Sequence, residues 1–138
     1  MTFLRKVSRT LHLYINASKA ANMKFEELSE EEILDIAILI MDNLMDASTK
    51  IDHQRHVRDF TDRLKKIVTQ DYLIEVCERY QKEKGYFDNR DVIAVFRRPN
   101  SAIIIWKQTF TKISGEYLAE MLLVYHEGRY LVDHTWVI

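Results

Sequence analysis

Residues 116–138 read EYLAEMLLVYHEGRYLVDHTWVI, and the Glu127-Gly128 pair in their middle decides the fold. On either side of that pair β-branched, aromatic and aliphatic residues recur with a period of two, the pattern of strands with one buried face. A two-residue turn at Glu127-Gly128 pairs His126 with Arg129 and thereby fixes every later partner. One face of the hairpin then carries Tyr117, Ala119, Met121, Leu123 and Tyr125 opposite Ile138, Trp136, His134, Val132 and Tyr130. All but His134 are apolar or aromatic. The other face sets Leu118, Glu120, Leu122, Val124 and His126 against Val137, Thr135, Asp133, Leu131 and Arg129, and is half polar. A three-residue turn would mix polar groups into both faces, so the two-residue register is the expected one.

Working back from the hairpin, the same period extends to Ser101–Lys112, which ends at Ser114-Gly115, and to Asp91–Arg98, which is stopped by Pro99-Asn100. A Pro cannot donate to a strand ladder and marks the turn between the two. Four antiparallel strands are therefore expected between residues 85 and 138. The first 84 residues contain neither Gly nor Pro and change to a helical period. Leu4, Val7, Leu11, Tyr14 and Ile15 line one face of a helix ending near Asn22. Ser29 followed by Glu32 is a capping box, in which each side chain satisfies the other residue's backbone N–H, so a second helix starts at Glu30 and runs to about Asp46. Its Ile33, Leu34, Ile36, Ala37, Ile40, Met41, Leu44 and Met45 cover more than half its circumference, marking it as the central helix. Val57, Phe60, Leu64 and Ile67 give a third helix, and Leu73, Val76, Cys77 and Tyr80 a fourth or a continuation. Three to four N-terminal helices packed on one face of a four-stranded antiparallel sheet make an α+β fold, a single domain over residues 1–138 with a helical half (1–84) and a sheet half (85–138).

Composition narrows the function classes. The chain has 138 residues, 47% of them hydrophobic, enough to hold a core without staples. Its single Cys77 allows no internal disulfide and no thiolate metal cage. A net charge of −1 argues against a dedicated nucleic-acid partner. No apolar run reaches the ~18–20 residues that span a bilayer, since Asp35 and Asp42 interrupt Ile33–Met45. Neither a membrane partner nor a secretory signal is expected, and the cytoplasm is the expected compartment. The acid-free start with Ser8, Thr10 and Ser18 has the composition of a transit peptide, but it runs straight into the capping box without a loose linker, which favours a structural helix.

Motifs of catalysis are scarce. Three dispersed glycines cannot form a phosphate-cradling loop, and no Gly-x-Ser-x-Gly elbow occurs. Cys77 lies on an apolar helical step, where a thiol is inert packing. Asp52-His53-Gln54-Arg55-His56 places two histidines three apart, within reach of Asp52 or Asp59, but Arg55 and Arg58 bring positive charge to the same place and a solvated helix start is the expected reading. No metal and no cofactor are expected. Charge, by contrast, is segregated. Residues 1–24 hold Arg5, Lys6, Arg9, Lys19 and Lys24 with no acid, whereas residues 25–46 hold eight acids and no base. Such blocks can pair within the fold at about 0.2–1 kcal/mol per exposed pair. They can also present an acidic surface at Glu26, Glu27, Glu30, Glu31, Glu32 and Asp35 to a basic protein, speeding association and rejecting wrong partners.

The helical block, the aromatic-rich stretch from Tyr72-Leu73 to Gly85, and strands ending in Trp106-Lys107-Gln108-Thr109-Phe110 and Gly128-Arg129-Tyr130-Leu131-Val132-Asp133 resemble, over residues 30–138, small bacterial members of the cystatin-like, nuclear transport factor two-like superfamily. The resemblance implies a curved sheet wrapped around the helices to leave a conical pocket. It does not select a function, because the superfamily spans enzymes, binding proteins and immunity proteins. The extra basic segment at residues 4–22 departs from the pattern and is placed to plug or cover such a pocket. The first functional expectation is a non-enzymatic cytoplasmic binding protein of the immunity or inhibitor type, occluding a basic protein partner such as a toxin through Glu26, Glu27, Glu30, Glu31 and Asp35. The alternative is a small-molecule-binding protein, or an isomerase- or cyclase-like enzyme, with Trp106, Phe110, Tyr117, Met121, His134 and Trp136 lining the cone and His134 as acid or base. A homodimer built sheet to sheet is a third possibility.

Overall fold

The computed structural model describes residues 24–138, so the helix expected at 4–22 lies outside the described residues. A 3-10 turn, Phe25–Glu27, buries Phe25 and leads into α1, Glu30–Thr49. The capping box forms: Glu32 N donates to Ser29 Oγ at 3.0 Å and Ser29 N donates to Glu32 Oε1 at 3.3 Å. Removing such a cap costs about 1 kcal/mol. The central position expected for this helix is found, with Ile33, Ile36, Ala37, Met41, Leu44 and Met45 all buried. Two short helices follow, α2 (His53–His56) and α3 (Asp62–Ile67), and then α4, Gln70–Lys84.

The strands β1 (Phe87–Arg97), β2 (Ser101–Phe110), β3 (Tyr117–His126) and β4 (Arg129–Val137) form one antiparallel sheet in the order β1-β2-β3-β4. In β2 the even positions Ala102, Ile104, Trp106, Gln108 and Phe110 are buried beneath the helices. The opposite face carries Ile103, Ile105, Lys107, Leu122 and Val124, half covered, with Phe96 and Trp136 exposed. Register shifts in β1 and β4 interrupt the pairing, and irregularities of this kind bend and twist a sheet around what it packs on.

Two expectations need correction, and one contact explains both. The helix expected from Val57 to Ile67 is broken at Phe60 and Thr61, whose backbone runs beside β4 instead: Val132 N donates to Asp59 O at 2.7 Å and Thr61 N to Val132 O at 2.9 Å. Thr61 then caps α3, and Ile67 ends 52% exposed. At the same place β4 departs from simple alternation. The turn residues Glu127 (φ +49°) and Gly128 (φ +80°) give the expected hairpin, and pairing holds from His126↔Arg129 to Leu123↔Val132. Beyond that point Leu122 pairs with His134, Met121 with Thr135 and Ala119 with Val137. Asp133 is the extra residue. Its carboxylate accepts from Thr61 Oγ1 at 2.8 Å and Arg63 Nε at 3.1 Å, and Arg63 also reaches its backbone carbonyl. His134 and Trp136 therefore leave the core face on which simple alternation placed them, and Thr135 and Val137 take their positions.

Candidate functional site

A cavity of about 310 Å³ lies between α4, the C-terminal half of α1 and the edge strand β4. Met41, Leu44, Met45, Phe60, Leu64, Leu73, Val76, Phe87 and Phe110 give it mostly apolar walls. Exposed residues, Tyr72, Arg79, Glu83 and Trp136, border its opening to solvent. Polar groups enter at few points. Ser48 Oγ shares hydrogen bonds with Tyr80 OH (2.8 Å) and Cys77 Sγ (3.4 Å), and the amide of Gln81 donates to the carbonyl of Thr49 at 3.2 Å. This cluster pins the end of α1 to α4. Burial pushes the Cys77 thiol and the Tyr80 phenol above their ordinary pKa values, so both stay protonated donors.

His56 is a further polar group on the wall. It is 9% exposed, its ring meets Phe60 edge to face at 5.3 Å, and its Nδ1 is buried with no hydrogen-bond partner among the described residues. Burial first, and the nearby His53 second, lower its pKa from 6.5 to about 4. The short helix that presents it is clamped to α1: Asp52 caps Arg55 N at 3.2 Å, Asn43 Nδ2 donates to Arg55 O at 3.0 Å, and Arg55 pairs with Asp46 at 2.9 Å. His53, three residues earlier, is engaged elsewhere, with Nε2 donating to Val68 O at 2.8 Å. The two rings that sequence spacing put side by side thus have separate surroundings. A base works best with a pKa near the working pH, so at about 4 the His56 ring serves as a neutral hydrogen-bonding group and not as a strong proton acceptor.

The residues proposed from the sequence as pocket lining separate into three groups. Phe110 and Trp136 border the cavity, Trp136 from the half-exposed edge. Trp106 and Met121 are fully buried in the core beside it, Trp106 under the Arg90 guanidinium at 5.6 Å, and Tyr117 stacks edge-on against Phe110 at 5.2 Å. His134 is on the far face of the sheet, where Nε2 meets Glu120 Oε1 at 2.9 Å, so it borders no part of this cavity. Glu26, Glu27, Glu30 and Glu31 are exposed around the start of α1, Glu27 accepting from the Lys24 backbone, while Asp35 is half-buried and has an interaction of its own. The sequence places His56 at a solvated helix start, whereas the structure buries it against Phe60; its spacing of four from Phe60 is the signal that joins it to the apolar set.

No family model and no curated protein matches the chain. Solved structures do. An NTF2-like protein of unknown function from Silicibacter pomeroyi DSS-3 superposes with a TM-score of 0.56 over 80% of this chain and 98% of its own, at 12% identity. NTF2-like proteins of unknown function from Methylobacillus flagellatus KT (TM-score 0.54, 84% and 97% covered, 10% identity) and Shewanella baltica OS155 (0.52, 81% and 97%, 10%) are similar in the same way. No helix among the described residues is long and apolar enough to cross a membrane. With four α-helices among the described residues on an open four-stranded antiparallel sheet, the chain has the NTF2-like α+β cone fold, a scaffold compatible with binding and with enzymatic roles.

Proposed function

We propose that the protein binds a small, mainly apolar molecule in the cavity between α4 and β4, anchored by a hydrogen bond to His56. The observation that carries this reading is a buried Nδ1 without a partner among the described residues, on the wall of a mainly apolar cavity. An unmade hydrogen bond of that kind costs about 1–3 kcal/mol, which a ligand of matching polarity restores. Ligand pockets have this composition, apolar walls with a few placed polar groups, and the 310 Å³ volume lies at the small end of their usual ~300–1,000 Å³. Calorimetric titration with 1-octanol tests it. Val76→Trp, which fills the cavity, is expected to abolish binding, and His56→Phe, which keeps the ring on Phe60, to weaken it five- to tenfold. Unchanged affinity in Val76→Trp would place the ligand elsewhere.

A second reading is supported by the acidic start of α1, where Glu26, Glu30 and Glu31 are exposed and have no partner among the described residues. These charges suit a basic protein partner of the inhibitor–toxin kind. For any partner captured from a host extract, exchanging Glu27, Glu30 and Glu31 for Lys should reduce association and its salt dependence. A partner bound equally well by both forms would remove this reading.

A further inference from the structure

The cavity has a cation that the binding reading leaves unused. Lys84 ends α4, is half-buried, and lines the cavity beside Phe87 and Phe110. Its Nζ lies 5.4 Å from the Phe110 ring centroid and 5.1 Å from that of Tyr117. The ring faces attract the charge, yet they leave its N–H groups without an oxygen acceptor, and no carboxylate or carbonyl among the described residues pairs with it. The neighbouring Arg79 is held only at 3.9 Å by Glu75, and Glu83, the one acid among the described residues bordering the cavity, is exposed. An ammonium held partly out of water against an apolar cavity lacks an anion.

We propose that the cavity selects apolar molecules carrying a carboxylate, with the carboxylate on Lys84 and the apolar body lying along α4 toward Leu73. From Leu73 to Lys84 the helix rises about 16 Å at 1.5 Å per residue, room for an extended eight-carbon chain. This inference rests on the cavity being the ligand site. Its test compares octanoate with 1-octanol by calorimetry on the full chain, on Lys84→Gln and on Lys84→Arg. Octanoate affinity is expected to fall at least tenfold in Lys84→Gln and to be largely kept in Lys84→Arg, while 1-octanol changes less than twofold in either. If both ligands bind and Lys84→Gln leaves octanoate unaffected, the carboxylate proposal is overturned and the cavity reading stands. If neither ligand binds the wild-type chain, the cavity reading fails and this inference with it.

Discussion

A histidine buried as His56 is takes up a proton far more readily in the unfolded chain than in the folded one. Well above pH 6.5 the ring is neutral in both states and contributes no pH dependence. As pH falls from 6.5 toward about 4 the unfolded chain binds a proton that the folded chain does not, so stability is lost across that window. The size follows from 1.36 kcal/mol per tenfold change in proton affinity, and comes to about 2 kcal/mol by pH 5. Urea unfolding at pH 7 and pH 5 should therefore show wild type losing roughly 2 kcal/mol more than His56→Phe. Comparing the two proteins cancels the other histidines, and equal losses would mean that the ring is not buried as described. His134 is placed differently. It is exposed and paired with Glu120, so His134→Ala should change stability by no more than ~0.5 kcal/mol and leave cavity binding untouched.

At the scale of elements, the contact between residues 59–61 and β4 organises the site. It breaks an expected helix, turns Phe60 into the cavity wall and adds Asp133 to β4, sending His134 outward and Thr135 inward. Asp133→Ala removes the acceptor of Thr61 and Arg63 and should cost about 1–2 kcal/mol in chemical denaturation. A loss below 0.3 kcal/mol would show that backbone pairing alone holds the bulge. The same contact marks where sequence reading ends. The capping box at Ser29, the turn at Glu127-Gly128 and the first pairs of the hairpin depend on residues within a few positions of each other, and all were legible. The bulge depends on residues about seventy positions apart, and periodicity carries no trace of it. Phe60 and Leu64 fit a helical stripe equally well whether or not the backbone between them extends to meet a strand.

For the whole molecule, the division into a helical half and a sheet half made the α+β architecture readable, because Gly and Pro are confined to the second half and the period changes at the boundary. The cavity was less accessible to that reasoning. Alternation along strands identified Trp106 and Met121 as inward-facing, which they are, but as core; the space remains open further along, where α4 and the β4 edge do not close on each other. Its polar anchor comes from a four-residue helix that is positioned by Asn43 and Arg55, a tertiary arrangement without a sequence motif. The methionines report directly on whether this space is the ligand site. Met41 and Met45 line the cavity, whereas Met121 is buried in the core and forms no part of its wall. In a methyl-labelled NMR titration with 1-octanol, saturable shifts are predicted at Met41 and Met45 with little change at Met121, and their loss in Val76→Trp. Shifts that are absent, or that survive unchanged in Val76→Trp, would contradict a ligand site in this space.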